Sequence, residues 1–173
     1  MITLQKANIP KDSLIKGYLP SDYSDSFECS FISSQKIKPE ELMINFWTSS
    51  PEWVKKLFKL RNIFLKPFKL NTDKGDYIEN LKACILEGKL HSSISIPSKS
   101  EKETILCIID KHLTFYLSIH VGEKENSNKT ILATTLVNFH NLFGRCYFIL
   151  VYPFHLIIVK AMLKYIVKKQ YIN

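Results

Sequence analysis

The chain has 173 residues, of which 46% are hydrophobic and 12% aromatic, with 5 glycines and 7 prolines. That suits one domain, spanning 1–173 with its core at about 22–169, and excludes fibrous and disordered classes and any need for a disulfide or metal staple. The formal net charge is +8, but the lysines are scattered along every segment and Arg61 and Arg145 are the only arginines, so the clustered basic footprint of a nucleic-acid reader is missing.

The four cysteines form no CxxC and no paired spacing. They read as free buried thiols of a reducing compartment, and the expected location is cytoplasmic. Met1–Pro10 lacks the apolar core of a signal peptide. Residues 1–25 read as polar and irregular, with an Asp/Ser-rich patch at Ser21–Ser26. Phe27, Cys29 and Phe31 then alternate with Glu28 and Ser30, which predicts a short strand.

Lys38-Pro39-Glu40-Glu41 opens a helix, with proline in the first turn and acids at the positive end of the dipole. Ser50-Pro51 reads as the N-cap and first residue of a second helix. Trp53, Leu57, Leu60 and Phe64 would form its apolar face, and Pro67 would end it. Asn71–Gly75 is a loop, and Tyr77–Leu86 is compatible with a short amphipathic helix.

From residue 90 the period changes to two. Strands are predicted at 90–96, 103–109, 112–121 and 130–138, with turns at Pro97–Lys102 and Asp110-Lys111 and a polar loop at GEKENSNK. Short connections make them antiparallel. The clearest row is Leu113, Phe115, Leu117, Ile119 and Val121. Leu142–Lys169 returns to helical period, with Asn141 as its cap and a kink near Pro153. The uncharged run Cys146–Val159 covers about 14 residues, against about 20 for a membrane span, and is bracketed by Arg145, Lys160 and Lys164. A buried core helix is the better reading, so no membrane span is expected. The fold class is α+β, an antiparallel sheet burying its apolar face against the last helix.

This order of one strand, two short helices, several antiparallel strands and a long last helix resembles the helix-grip fold of the START and polyketide-cyclase-like (SRPBCC) superfamily. The string Asn138-Phe139-His140-Asn141-Leu142-Phe143-Gly144-Arg145-Cys146-Tyr147-Phe148, followed by Tyr152-Pro153-Phe154-His155, is more particular. With Trp53, Leu60-Arg61-Asn62 and His112-Leu113 it resembles the DUF2867 family of uncharacterised bacterial proteins over Asp22 to Leu163. The resemblance implies about seven strands around the C-terminal helix and a cavity between them. It implies no reaction. The sequence departs from the pattern at Leu156, where an arginine commonly follows the histidine.

Asn138, His140, Asn141 and Arg145 are the densest polar cluster beside an apolar element. Capping and loop hydrogen bonds account for them in the simplest reading. The functional reading has Arg145 and Tyr147 anchoring the polar end of an apolar or lipid-like molecule. The cavity would be lined by Arg61, Phe115, Leu117, Thr135, Phe139, His140, Phe148 and His155. An alternative is a cyclase, hydratase or isomerase using His140, His155 or a tyrosine as acid and base. A third is an interaction module, monomeric or homodimeric, with exposed apolar surface on the Trp47–Trp53 helices. His112 and His120 lie about 27 Å apart on one strand face, and no Cys/His ligand spacing occurs; neither metal nor cofactor is expected.

Overall fold

A computed structural model describes residues 2–65, 75–87, 93–124 and 128–172. The elements are β1 (Thr3–Lys6), a 3-10 turn (Leu14–Tyr18), β2 (Tyr23–Ile32), α1 (Pro39–Thr48), α2 (Glu52–Leu65), α3 (Gly75–Glu87), β3 (Ile94–Lys99), β4 (Glu103–Ile109), β5 (Leu113–Lys124), β6 (Asn128–Phe139) and α4 (Leu142–Tyr171). The strands form one antiparallel sheet in the order β1-β2-β6-β5-β4-β3. Among the described residues the sheet has six strands, where the resemblance implies about seven.

One face of the sheet carries the core. Phe27, Cys29 and Phe31 of β2 lie in phase with Ile131 and Ala133 of β6 and with Leu117 and Ile119 of β5. Against them pack Val159, Met162, Leu163, Ile166 and Val167 from the C-terminal half of α4. Leu42, Met43 and Phe46 of α1 and Leu81, Cys84 and Ile85 of α3 cover the β3–β5 side. The opposite face is covered in part by the 3-10 turn, whose Ile15 packs on Ile105 and Leu136.

Several expectations are corrected. Residues 1–25 are not irregular: β1 pairs with β2 from Thr3↔Ser30 to Lys6↔Phe27, and β2 already begins at Tyr23. β1 escapes notice because its four residues, TLQK, carry almost no alternation. The strand expected at 90–96 begins at Ile94 and continues through Pro97 to Lys99; residues 90–92 lie outside the described residues. Proline is tolerated there because β3 is an edge strand and its register shifts between Ser95 and Ser98. The GEKENSNK loop is mostly ladder. Glu123 pairs with Lys129 and Lys124 with Asn128, and a Lys129–Glu123 ion pair crosses the strands.

In α2 the first bonds close on the carbonyl of Pro51, so proline sits at the cap that Ser50 was expected to fill. Its buried face runs through Val54, whereas Trp53 is 48% exposed and Leu60 42%. Pro67 lies outside the described residues. Asn141 caps α4 as read, its side-chain oxygen accepting from Gly144 N at 3.0 Å. The run Cys146–Val159 is not a buried core helix: only Phe148, Ile158 and Val159 in it are buried.

Candidate functional site: a cleft between β2 and α4

In an antiparallel strand alternate side chains share a face. Asp25 therefore falls in the same row as Phe27, Cys29 and Phe31, and points toward α4 rather than to solvent. On α4, Tyr152, His155, Leu156 and Val159 stand at i, i+3, i+4 and i+7, one stripe facing β2. The two rows meet in a polar chain. His155 Nε2 lies 3.0 Å from Asp25 Oδ2, and the Tyr23 hydroxyl donates to the same oxygen at 2.7 Å. The side chains of His155 and Asp25 are 10% and 5% exposed.

The second carboxylate oxygen, Asp25 Oδ1, is buried with no hydrogen-bond partner. Thr135, directly across the ladder from Asp25, has a buried hydroxyl in the same condition. Burial pushes the Tyr23 hydroxyl well above the ordinary tyrosine range, and its bond to Asp25 and the carboxylate charge push it further. Tyr23 is therefore a fixed donor and not a base.

Asp25 and Tyr23 line a half-open cleft of about 310 Å³ between β1, β2 and α4, with Leu4, Gln5, Lys6, Phe27, Tyr152, Leu156 and Lys160. The ammonium of Lys160 sits 4.8 Å from the centre of the Phe27 ring, a cation–π contact. A second recess of about 280 Å³ adjoins it through Tyr23 and is lined by Asp22, Phe139, Arg145, Phe148 and Ile149. The seam is aromatic: Tyr23 lies 4.6 Å from Phe148 and 5.6 Å from Tyr152, and Phe139 lies 5.4 Å from Phe148.

Of the residues expected from sequence, Phe139, Arg145 and Phe148 come together in the second recess, and His155 meets Phe148 at 6.2 Å beside it. Arg145 is engaged. It pairs with Asp22 at 3.3 Å and lies over the Phe139 ring, so a ligand carboxylate there competes with an acid already in place. Thr135 borders the site from the sheet. Leu117 is core. Phe115 packs near Trp47 of α1, 6.5 Å between rings. His140 is exposed and bonds Thr114 Oγ1 at 2.9 Å. Tyr147 is half-buried on α4 without lining either recess. Arg61 lies in α2, but its side chain is outside the described residues.

Tyr23 and Asp25 were missed. The available signal is phase: Asp25 is a carboxylate two residues before Phe27 and falls in the same apolar row. A second buried acid, Glu103, is 1% exposed. It accepts from Ser13 Oγ, Ser118 Oγ, Leu14 N and Ile15 N. Three of these donors fall on Oε1 and one on Oε2, and three of the four come from Ser13–Ile15, so Glu103 anchors the 3-10 turn. Among the described residues no three His, Cys, Asp or Glu side chains are grouped as a metal site.

Residues 19–162 match the family model described as protein of unknown function (DUF2867). The chain belongs to this family. The match takes in Tyr23, Asp25, Arg145, Tyr152, His155 and Lys160 of the seam, while Leu4, Gln5 and Lys6, the β1 wall of the cleft, fall outside the DUF2867 region. No curated protein and no solved structure matches the chain.

Proposed function

We propose that this DUF2867 chain is a helix-grip, START-like (SRPBCC) domain that binds a small molecule in the seam between β2 and α4. The ligand has an apolar or aromatic body and one hydrogen-bond-donating end. The carrying observation is Asp25 Oδ1: a buried carboxylate oxygen without a partner, in a residue that lines a cleft of about 310 Å³. Buried polar atoms in native folds are nearly always satisfied, and an ammonium, hydroxyl or amide of a ligand satisfies this one. His155 and Tyr23 hold the other oxygen and fix the carboxylate plane. Tyr152, Phe27 and Leu156 supply apolar contact. The volume fits a compact molecule or one end of a longer lipid-like one. The free cysteines, three buried and one exposed, fit the cytoplasm as the site of action.

A second reading is an acid–base enzyme of the cyclase, hydratase or isomerase type. Its specific support is the Tyr23–Asp25–His155 chain, in which a buried carboxylate orients an imidazole as it does in many general-base sites. Since Tyr23 holds its proton, His155 is the base in this reading.

The test is native mass spectrometry of the purified chain, with thermal shift against amphipathic amines, alcohols and fatty acids. An adduct or a shift present in the native chain and absent in Asp25→Leu supports the proposal. No adduct, or one retained by Asp25→Leu, ends it. Turnover of the bound molecule that is lost in His155→Gln selects the enzymatic form.

A further inference from the structure

We propose that the outward face of the N-terminal half of α4 docks on an anionic lipid surface, lying in the interface without crossing it. Leu142, Ile149, Leu150 and Ile157 are 75%, 69%, 51% and 51% exposed, and Cys146 and Pro153 between them are exposed as well. The positions 142, 146, 149, 150, 153 and 157 recur at three and four residues, which is one face of a helix. α4 is long and apolar enough to span a bilayer, and only 28% of its most apolar 18 residues are buried. A helix apolar all round is normally buried all round; here the outer half of that surface has no cover among the described residues.

The same line of the helix continues into Lys164 and Lys168, both exposed, with Lys160 at its border reaching back over the Phe27 ring. No aspartate or glutamate occurs between Leu142 and Tyr171, and the chain as a whole carries +8. An apolar row followed on the same face by a basic row complements acyl chains and anionic headgroups in turn. Tyr152, 40% exposed, stands at the edge of the row, where an aromatic with a polar tip is at home in a membrane interface.

Spanning is excluded by the fold. The C-terminal half of α4 is packed on the sheet through Met162, Leu163, Ile166 and Val167, and the free row from 142 to 157 is about 22 Å long, short of a hydrocarbon core of about 30 Å. A second copy of the chain is a poorer occupant. The row is about 22 Å by 10 Å, roughly 200 Å² in footprint, well under the ~800 Å² per partner of a stable interface. Parallel pairing would also set lysine against lysine.

Co-sedimentation of the full chain with phosphatidylcholine vesicles, with and without about 30% phosphatidylserine, tests this. Binding at least tenfold tighter on the anionic vesicles is expected, weakening with added salt. Ile149→Ser with Leu150→Ser is expected to lower it at least tenfold, as is Lys164→Glu with Lys168→Glu. Cys146 is the one exposed thiol, so a polarity-sensitive maleimide placed there reads the same event in the unsubstituted chain, by a blue shift on anionic vesicles. Equal binding to both vesicle types, or no blue shift, overturns the proposal. So does a concentration-dependent dimer abolished by the Ile149/Leu150 substitutions, which assigns the face to a second copy.

Discussion

The Asp25–His155 contact can be measured without knowing the ligand. Replacing Asp25 by alanine removes two bonds to a charged acceptor, each worth about 1.5–3 kcal/mol. It also removes the orphaned Oδ1, whose burial costs about 1–3 kcal/mol. Tyr23 is only half-buried and its hydroxyl is resolvated in the variant. The net cost expected for Asp25→Ala is therefore about 1–3 kcal/mol, small for an acid so enclosed. His155→Ala loses the bond and part of the packing against Tyr23 and Phe148, and is expected to cost about 2–4 kcal/mol. Because both variants delete the same contact, the double variant falls short of their sum by about 1.5–3 kcal/mol. Urea unfolding of the four proteins gives the cycle, provided the m-values agree. A coupling under about 0.5 kcal/mol, the usual error of additivity, means that the His155–Asp25 bond does not form in solution, and the site loses its oriented carboxylate.

Glu103→Ala strands four donors at once, two of them backbone N–H groups of the 3-10 turn. A loss of roughly 3–5 kcal/mol is expected, with Glu103→Gln milder; equal urea midpoints for Ala and native would contradict the anchoring role. Burial pushes the Cys29 thiol up to about 11 from 9.0. The folded chain holds that proton while the unfolded chain releases it, so the contribution is full below pH 9 and is lost as pH rises toward 11. At about 1.36 kcal/mol per unit, roughly 2–3 kcal/mol disappears in that window, and Cys29→Ala should remove this part of the alkaline loss in urea titrations at pH 8 and 11. Gly144 admits no Cβ, because one would lie 2.2 Å from His112 O, a backbone atom. Gly144→Ala is expected to cost about 1–3 kcal/mol. Gly122→Ala, whose Cβ meets only the rotatable Thr130 Oγ1, should cost less, and the reverse order by thermal melts would refute the steric argument.

What the sequence made legible was what alternation and capping encode. The apolar rows of β2 and β5, Phe27-Cys29-Phe31 and Leu117-Ile119, face the helices, so period two survives in those residues, whereas β4 is apolar on both faces because the 3-10 turn covers its other side. Asn141, with Gly144 three residues on, writes the start of α4 into four positions. What escaped was tertiary. β1 is too short for a period to register and gains its place only from the β2 edge. Trp53 looks like an anchor by type, yet Val54, one position away, is the residue the core takes. Asp25 was hidden because the acids of Ser21–Ser26 read as loop chemistry, whereas the strand had already begun. Cys146–Val159 looked like core by composition, since hydropathy records what a segment tolerates and not what lies against it.

That last mismatch ties the two functional proposals to one physical cause. The core cluster under α4 begins at Ile158 and runs to Val167. N-terminal to it, the helix is held by Phe148, by Phe154 and Leu156 packed half-buried against that cluster, by the Asn141 cap and by two polar contacts to β2 and the turn before it, Asp22–Arg145 and Asp25–His155. Pro153 sits in this half on the exposed side, where it removes a donor to the carbonyl of Ile149 that solvent can replace. An amphipathic helix needs one apolar face for its fold. This half is apolar on the outside as well, and on the inside it borders a cleft instead of a filled core. Neither feature is required by packing. The unpaired Asp25 Oδ1 in the inner row is a cost to the folded chain, and the uncovered apolar row is a cost to its solubility; such costs persist where something outside the chain is to be met.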